Sequence, residues 1–197
     1  MKQKIKLGRK LLSFLLTLAM VVVLMPGMSL TALANGGHTH DDITFTAGTS
    51  ADSLPTTAGS YYQTQDVTIS GTWTVPEDTT NLCLNGKSIT YNGDDNPAIE
   101  ILSGRTLNLY DEGEGAHRYT LEARGTTSTF GQVNDAATGD TVKTFNGGYI
   151  AASVDRTIVR LSSNSVFSMN GGTLIGGSKG VYNSGGTFTM NGGNILA

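Results

Sequence analysis

The segment His38-Thr39-His40-Asp41-Asp42 sets two imidazoles two residues apart and follows them with two carboxylates. Such groups are adequate ligands for zinc or copper. They lie just past the end of a secretory leader, where chains fray. A metal site needs a fixed ligand set, and no further cluster in the sequence answers the pair, His117 being the one other histidine. No metal site is therefore expected. Cys83 is the only cysteine, which excludes an internal disulfide. Its flanks Leu82 and Leu84 read as strand, so Cys83 is expected to be an ordinary strand residue rather than a catalytic thiol. The acidic groups Asp94-Asp95 and Asp111-Glu112-Gly113-Glu114 offer the oxygens that calcium takes. With Gly93, Gly113 and Gly115 around them, the plainer reading is a solvated loop.

The elements that would have to hold these groups start after the leader. Lys2, Lys4, Lys6, Arg9 and Lys10 form a basic head, Leu11 to Met25 carry no charge, and Pro26-Gly27 interrupts the run. Ala32-Leu33-Ala34 then supplies small residues at both positions read by a signal peptidase. The uncharged stretch is long enough for a membrane anchor, but the break and the cleavage pattern favour a signal peptide over residues 1–34. Beyond it the chain keeps 8 basic against 16 acidic side chains. That balance makes nucleic acid and anionic lipid poor partners and leaves no segment expected to insert in a membrane.

Repeats decide the architecture. Asn-Gly-Gly occurs at Asn146, Asn170 and Asn191, with a diverged copy at Asn85-Gly86-Lys87 and another at Asn35 that lacks strand context. Four residues after the asparagine stand Ile89, Ile150, Leu174 and Ile195; one residue before stand Leu84, Phe145, Met169 and Met190. Three before stand Leu82, Lys143, Phe167 and Phe188, with Lys143 the exception. Alternate strand residues share a face, so each unit is an apolar strand, a sharp corner and a second strand. Asparagine tolerates the left-handed region and glycine adopts it freely, and stacked corners let one asparagine amide bond the next. Periods of 21 to 25 residues suit three short strands and three turns, one rung of a parallel β-helix. The pairs Ile99-x-Ile101 and Leu107-x-Leu109 add inward strands, with Leu82-x-Leu84 aligned 25 residues before Leu107-x-Leu109. A leucine-rich repeat lacks its pattern here, a β-sandwich would not repeat Phe-x-Met-Asn-Gly-Gly at 21 residues, and the glycine-aspartate repeats of a calcium-binding solenoid are missing.

The stretches Val75 to Thr90 (VPEDTTNLCLNGKSIT), Ile101 to Gly115 (ILSGRTLNLYDEGEG) and Gly180 to Gly193 (GVYNSGGTFTMNGG) resemble rungs of pectin-lyase-like right-handed parallel β-helix repeat proteins. These are secreted or surface proteins of Gram-positive anaerobic bacteria. The resemblance covers roughly Tyr61 to Ala197. It implies a right-handed coil, export, and a native chain with further rungs beyond Ala197. Enzymes of this fold use acidic groups, or an aspartate with an arginine or lysine base, on one sheet face. Here Asp155, Arg156, Arg160 and an acid from residues 111–141 would have to share a cleft, and glycoside hydrolysis needs two carboxylates about 5 to 9.5 Å apart. The two arginines read instead as solvent-facing.

The expected organisation is a signal peptide helix over 1–34, a polar linker or cap segment over 35–60, and an all-β, parallel β-helix over 61–197. Val67-x-Ile69 and Trp73-x-Val75 would cover its first end. An irregular loop or hairpin excursion, with one strand at Tyr119-x-Leu121, would occupy 111–141. The last rung is expected to be unfinished, and an open edge invites self-association, so the isolated segment is expected to be poorly soluble or oligomeric. The expected function is a secreted, cell-surface-associated, adhesin-like scaffold, presenting loops to an extracellular glycan or a host or bacterial surface protein. The alternative is a carbohydrate-active enzyme or glycan-binding module. No catalytic residue and no cofactor are expected.

Overall fold

The computed structural model describes residues 38–48, 53–120, 122–124, 127–129, 133–136, 138, 142–152 and 156–197. The expected leader over 1–34, Leu121 and Asp155 lie outside the described residues. Every regular element among those described is a β-strand, so the chain is all-β. In order they are β1 (His38–His40), β2 (Ile43–Ala47), β3 (Gly59–Tyr62), β4 (Val67–Ile69), β5 (Trp73–Thr74), β6 (Thr79–Cys83) and β7 (Ser88–Tyr91). There follow β8 (Ile99–Ile101), β9 (Thr106–Tyr110), β10 (Ala116–Thr120), β11 (Glu122–Arg124), β12 (Thr127–Thr129), β13 (Val142–Asn146) and β14 (Tyr149–Ala152). The last are β15 (Thr157–Leu161), β16 (Val166–Met169), β17 (Thr173–Gly176), β18 (Lys179–Asn183), β19 (Thr187–Met190) and β20 (Asn194–Leu196).

Three parallel-rich sheets hold most of them. The first runs β1-β2-β3-β6-β9-β16-β19, with β1 antiparallel at its edge; the second β4-β7-β14-β17-β20; the third β5-β8-β15-β18. From β3 onward the chain visits first, second and third sheet in that cyclic order, apart from β10 to β13. Those four pair antiparallel among themselves, β10 with β13 and β11 with β12. Period-two alternation puts one apolar column on the inner face of each sheet. In the second sheet the column is Val67, Ile89, Ile150, Leu174 and Ile195. In the third it is Trp73, Ile99, Val159 and Val181. The first sheet stacks Leu107, Phe167 and Phe188, the two phenylalanine rings 5.4 Å apart. Residues from all three sheets merge into one buried cluster.

The ladder differs from the expected alignment at three places. Leu82 is in register with Leu109, not Leu107, a shift of two residues that keeps the same face inward. The strand containing Lys143 and Phe145 leaves the first sheet and pairs with β10, which is why its polar Lys143 breaks the apolar column. At the three Asn-Gly-Gly corners the left-handed residue is a glycine, Gly147, Gly172 or Gly193, whereas at the diverged corner both Asn85 and Gly86 take that conformation. Glycine has no Cβ to collide, so it accepts the conformation more readily. The corner asparagines act through their amides instead. Asn191 donates to Asn170 Oδ1 at 2.8 Å, and Asn85 to the Gln63 carbonyl at 3.0 Å. Val67–Ile69 and Trp73–Thr74 are the edge strands at the first end of the second and third ladders. Leu54 is buried beside them, and the Trp73 indole N–H donates to the Pro55 carbonyl at 2.9 Å.

Candidate metal centre

The parity that turns Leu82 and Leu84 inward turns Cys83 outward. Cys83 sits in register with Tyr62 on β3 and Tyr110 on β9, so a Tyr-Cys-Tyr row crosses the outer face of the first sheet. Such a row needs a cover, and the hairpin β1–β2 supplies it. Its register pairs His38 with Phe45 and His40 with Ile43. Phe45 is buried against Cys83 and Tyr110, with Ile43 and Tyr62 packed alongside. Asp41 and Asp42, both left-handed, form the turn, a conformation that aspartate tolerates better than most residues.

The hairpin brings both histidines to Cys83. His38 Nε2 is 2.9 Å from Cys83 Sγ and 2.8 Å from His40 Nε2, and the three ligand atoms lie within 4.8 Å of one another. The rings are held in place. His38 stacks on Tyr62 at 5.0 Å between centroids, His40 stacks on Tyr110 at 4.8 Å, and Phe45 presents itself edgewise to both. His40 Nδ1 lies 3.0 Å from Glu112 Oε1. Donation from Nδ1–H to that carboxylate fixes the tautomer and leaves the Nε2 lone pair facing His38 and Cys83.

Burial dominates the electrostatics. It lowers the His40 pKa, against the opposing pull of Glu112. It pushes the Cys83 thiol up to about 12, with the nearby Asp111 and Glu112 charges acting in the same direction. Burial therefore favours the neutral forms of the His40 imidazole and the Cys83 thiol. A neutral imidazole already presents a ligating lone pair, and a divalent cation would supply the positive charge a buried thiolate lacks.

Two expectations from sequence change here. His38-Thr39-His40 is a paired strand and not a frayed end, because Phe45 and Ile43 anchor the hairpin over apolar surface. The third donor atom beside the two imidazoles is the thiol of Cys83, a strand residue as expected. Parity alone could have flagged it: a cysteine between two inward leucines must face out. Glu112, in the acidic loop, is the partner of His40, and nothing in its local sequence signals that contact.

Among the described residues, the other candidates sit in separate contacts. Asp111 accepts from the backbone amides of Gly86, Gly113 and Gly148, so its carboxylate is occupied as a corner staple rather than as part of a calcium cluster. Arg160 on β15 bonds Glu100, its register partner on β8, with Nε to Oε1 at 3.2 Å. Arg156 reaches Asp94 at 3.6 Å and His117 reaches Asp135 at 3.3 Å. No family model matches this chain, and no curated protein or solved structure matches it.

Proposed function

We propose that the chain is a secreted, cell-surface-associated scaffold of the adhesin type, built as a right-handed parallel β-helix that presents its loops to a glycan or a surface protein. The observation that carries this reading is the cyclic visit of the chain to three parallel ladders, each with a continuous apolar column inside. Crossovers between parallel strands of one sheet are right-handed in about 98% of cases, which supports the hand. Such stacking makes a stiff rod without disulfides.

The outer face fits display rather than catalysis. Ser60, Asn81, Asn108, Ser168 and Thr189 form one row on the outer side of the first sheet, with Asn81 itself buried. Within it Asn108 donates to Asn81 at 2.8 Å and Asn81 to Ser60 at 2.8 Å. Amides and hydroxyls in a row can bond sugar hydroxyls or a partner backbone. The ionisable groups an enzyme would gather are instead paired on separate parts of the fold: Arg160 with Glu100 on the third sheet, Asp111 at a corner leaving the first. The leader pattern of residues 1–34 supports export.

The test is a glycan-array and surface-protein binding screen on the exported chain, run beside a polysaccharide lyase and hydrolase assay. Binding without turnover is expected. Turnover of polyuronate or plant polysaccharide would overturn the scaffold reading, and retention of the chain inside the producing cell would overturn the location.

A further inference from the structure

We propose that His38, His40 and Cys83 form a three-ligand site for zinc, and that the bound ion clamps the N-terminal hairpin onto the outer face of the first sheet. The donor set is two imidazole nitrogens and one sulfur, which zinc takes in tetrahedral geometry. Bonds of about 2.0 to 2.1 Å to nitrogen and about 2.3 Å to sulfur place tetrahedral donors roughly 3.3 to 3.6 Å apart. The donor triangle has two edges of 2.8 and 2.9 Å and none beyond 4.8 Å. Small side-chain adjustments bring it to that size.

Hydrogen bonds between the neutral side chains do not account for the cluster's geometry. A neutral imidazole nitrogen carries either one hydrogen or one lone pair in the ring plane. His38 Nε2 nevertheless faces two partners, His40 Nε2 and Cys83 Sγ, at hydrogen-bond distance. One linear bond can serve only one of them. A cation among the three converts both contacts into ligand bonds. The surroundings match those of a metal histidine: Glu112 holds the far nitrogen of His40, the carboxylate–histidine arrangement that orients metal ligands.

Binding replaces the sulfur–hydrogen bond of Cys83 with a sulfur–metal bond and releases one proton to solvent. His38 and His40 each donate a ring lone pair and lose no net proton from the neutral form. Three protein ligands leave a fourth position for water or an outside donor. The ion joins residues 45 positions apart in the chain, and thereby adds a further fastening to a hairpin held by an apolar patch, by short pairing with β3 and by the His40–Glu112 contact.

The experiment uses the full chain, stripped with a chelator and titrated with cobalt(II), then with zinc and copper(II) in separate arms. One cobalt per chain is expected, with a thiolate-to-cobalt charge-transfer band and tetrahedral d–d absorption, displaced by one equivalent of zinc. Cys83→Ser should abolish the charge-transfer band, and it and His38→Ala should each weaken zinc by at least about 100-fold. His117→Ala should change neither. His38 lies on an edge strand, so its variant tests the site even if Cys83→Ser does not fold. Absence of a cobalt–thiolate band, zinc binding unchanged in His38→Ala, or equal loss in His117→Ala would overturn the site. Copper binding through Cys83 without zinc binding would overturn the zinc assignment.

Discussion

The amide of Gly148 donates to Asp111 Oδ2 at 2.8 Å across 37 residues of chain. Gly86 and Gly113 donate to the other oxygen of the same carboxylate, at 2.8 and 3.2 Å. One side chain therefore ties together the corners that follow β6 and β13. Asp111→Asn keeps one oxygen but turns an amide N–H₂ toward a backbone N–H. It is expected to lower unfolding free energy by about 2 to 4 kcal/mol, read from urea denaturation. A loss below about 0.5 kcal/mol would show the staple to be incidental.

Gly176 and Gly104 form a matched pair. Both have φ of +79°, but a Cβ on Gly176 would stand 2.5 Å from the Ala152 carbonyl oxygen, whereas one on Gly104 meets nothing within 4 Å. Gly104→Ala should cost only the left-handed backbone term, about 1 to 2 kcal/mol. Gly176→Ala should cost about 1 to 3 kcal/mol more, because the neighbouring strand must move. Equal losses in denaturant melts would mean that the ladder yields freely at β17.

Tyr91 is buried, and its hydroxyl donates to the Asp95 carbonyl at 2.7 Å. Burial, and then the Asp95 charge, raise its pKa above the ordinary 10.0. The fold thus favours the neutral phenol. That stabilisation is fully present below pH 10 and is lost as pH rises through the folded-state value. Tyr91→Phe should cost about 1 kcal/mol at neutral pH and flatten the alkaline fall of stability. Melting curves at stepped pH decide it: an unchanged alkaline limb in the variant would assign the fall to other groups.

Glu112→Gln leaves the three proposed ligands intact and removes the charge that orients His40. Zinc affinity should drop by about 10- to 100-fold, while the cobalt charge-transfer band keeps its position because Cys83 still ligates. A shifted band would place Glu112 among the ligands themselves.

Arg160 and Glu100 are register partners on the outer side of the third sheet, 38% and 20% exposed. A double-mutant cycle to alanine should give a coupling of about 0.5 to 1 kcal/mol, shrinking as salt is added. A coupling of several kcal/mol that is insensitive to salt would reveal a desolvated pair and reopen the question of a charged cleft.

The repeat was legible before any coordinates. Phe167-x-Met169 and Phe188-x-Met190 recur at 21 residues, and they do lie in register. So does the column Ile89, Ile150, Leu174 and Ile195. Side-chain parity in a strand is a local property, so apolar residues at matching positions announce a shared face without a tertiary model. The same rule could not detect the two-residue shift that aligns Leu82 with Leu109, because a shift of two preserves the face.

Nor could it detect the departure of β13, since Phe145 and Asn146 imitate a ladder strand whether their partner is β9 or β10. The meeting of His38 and His40 with Cys83 was further still from sequence. Parity determined that Cys83 faces outward. Which segment covers it depended on a hairpin folding back across 45 residues to bury Phe45, and hydrophobic burial is non-directional. It selects a partner by the shape and area of the assembled surface, and that surface exists only once the ladders have stacked.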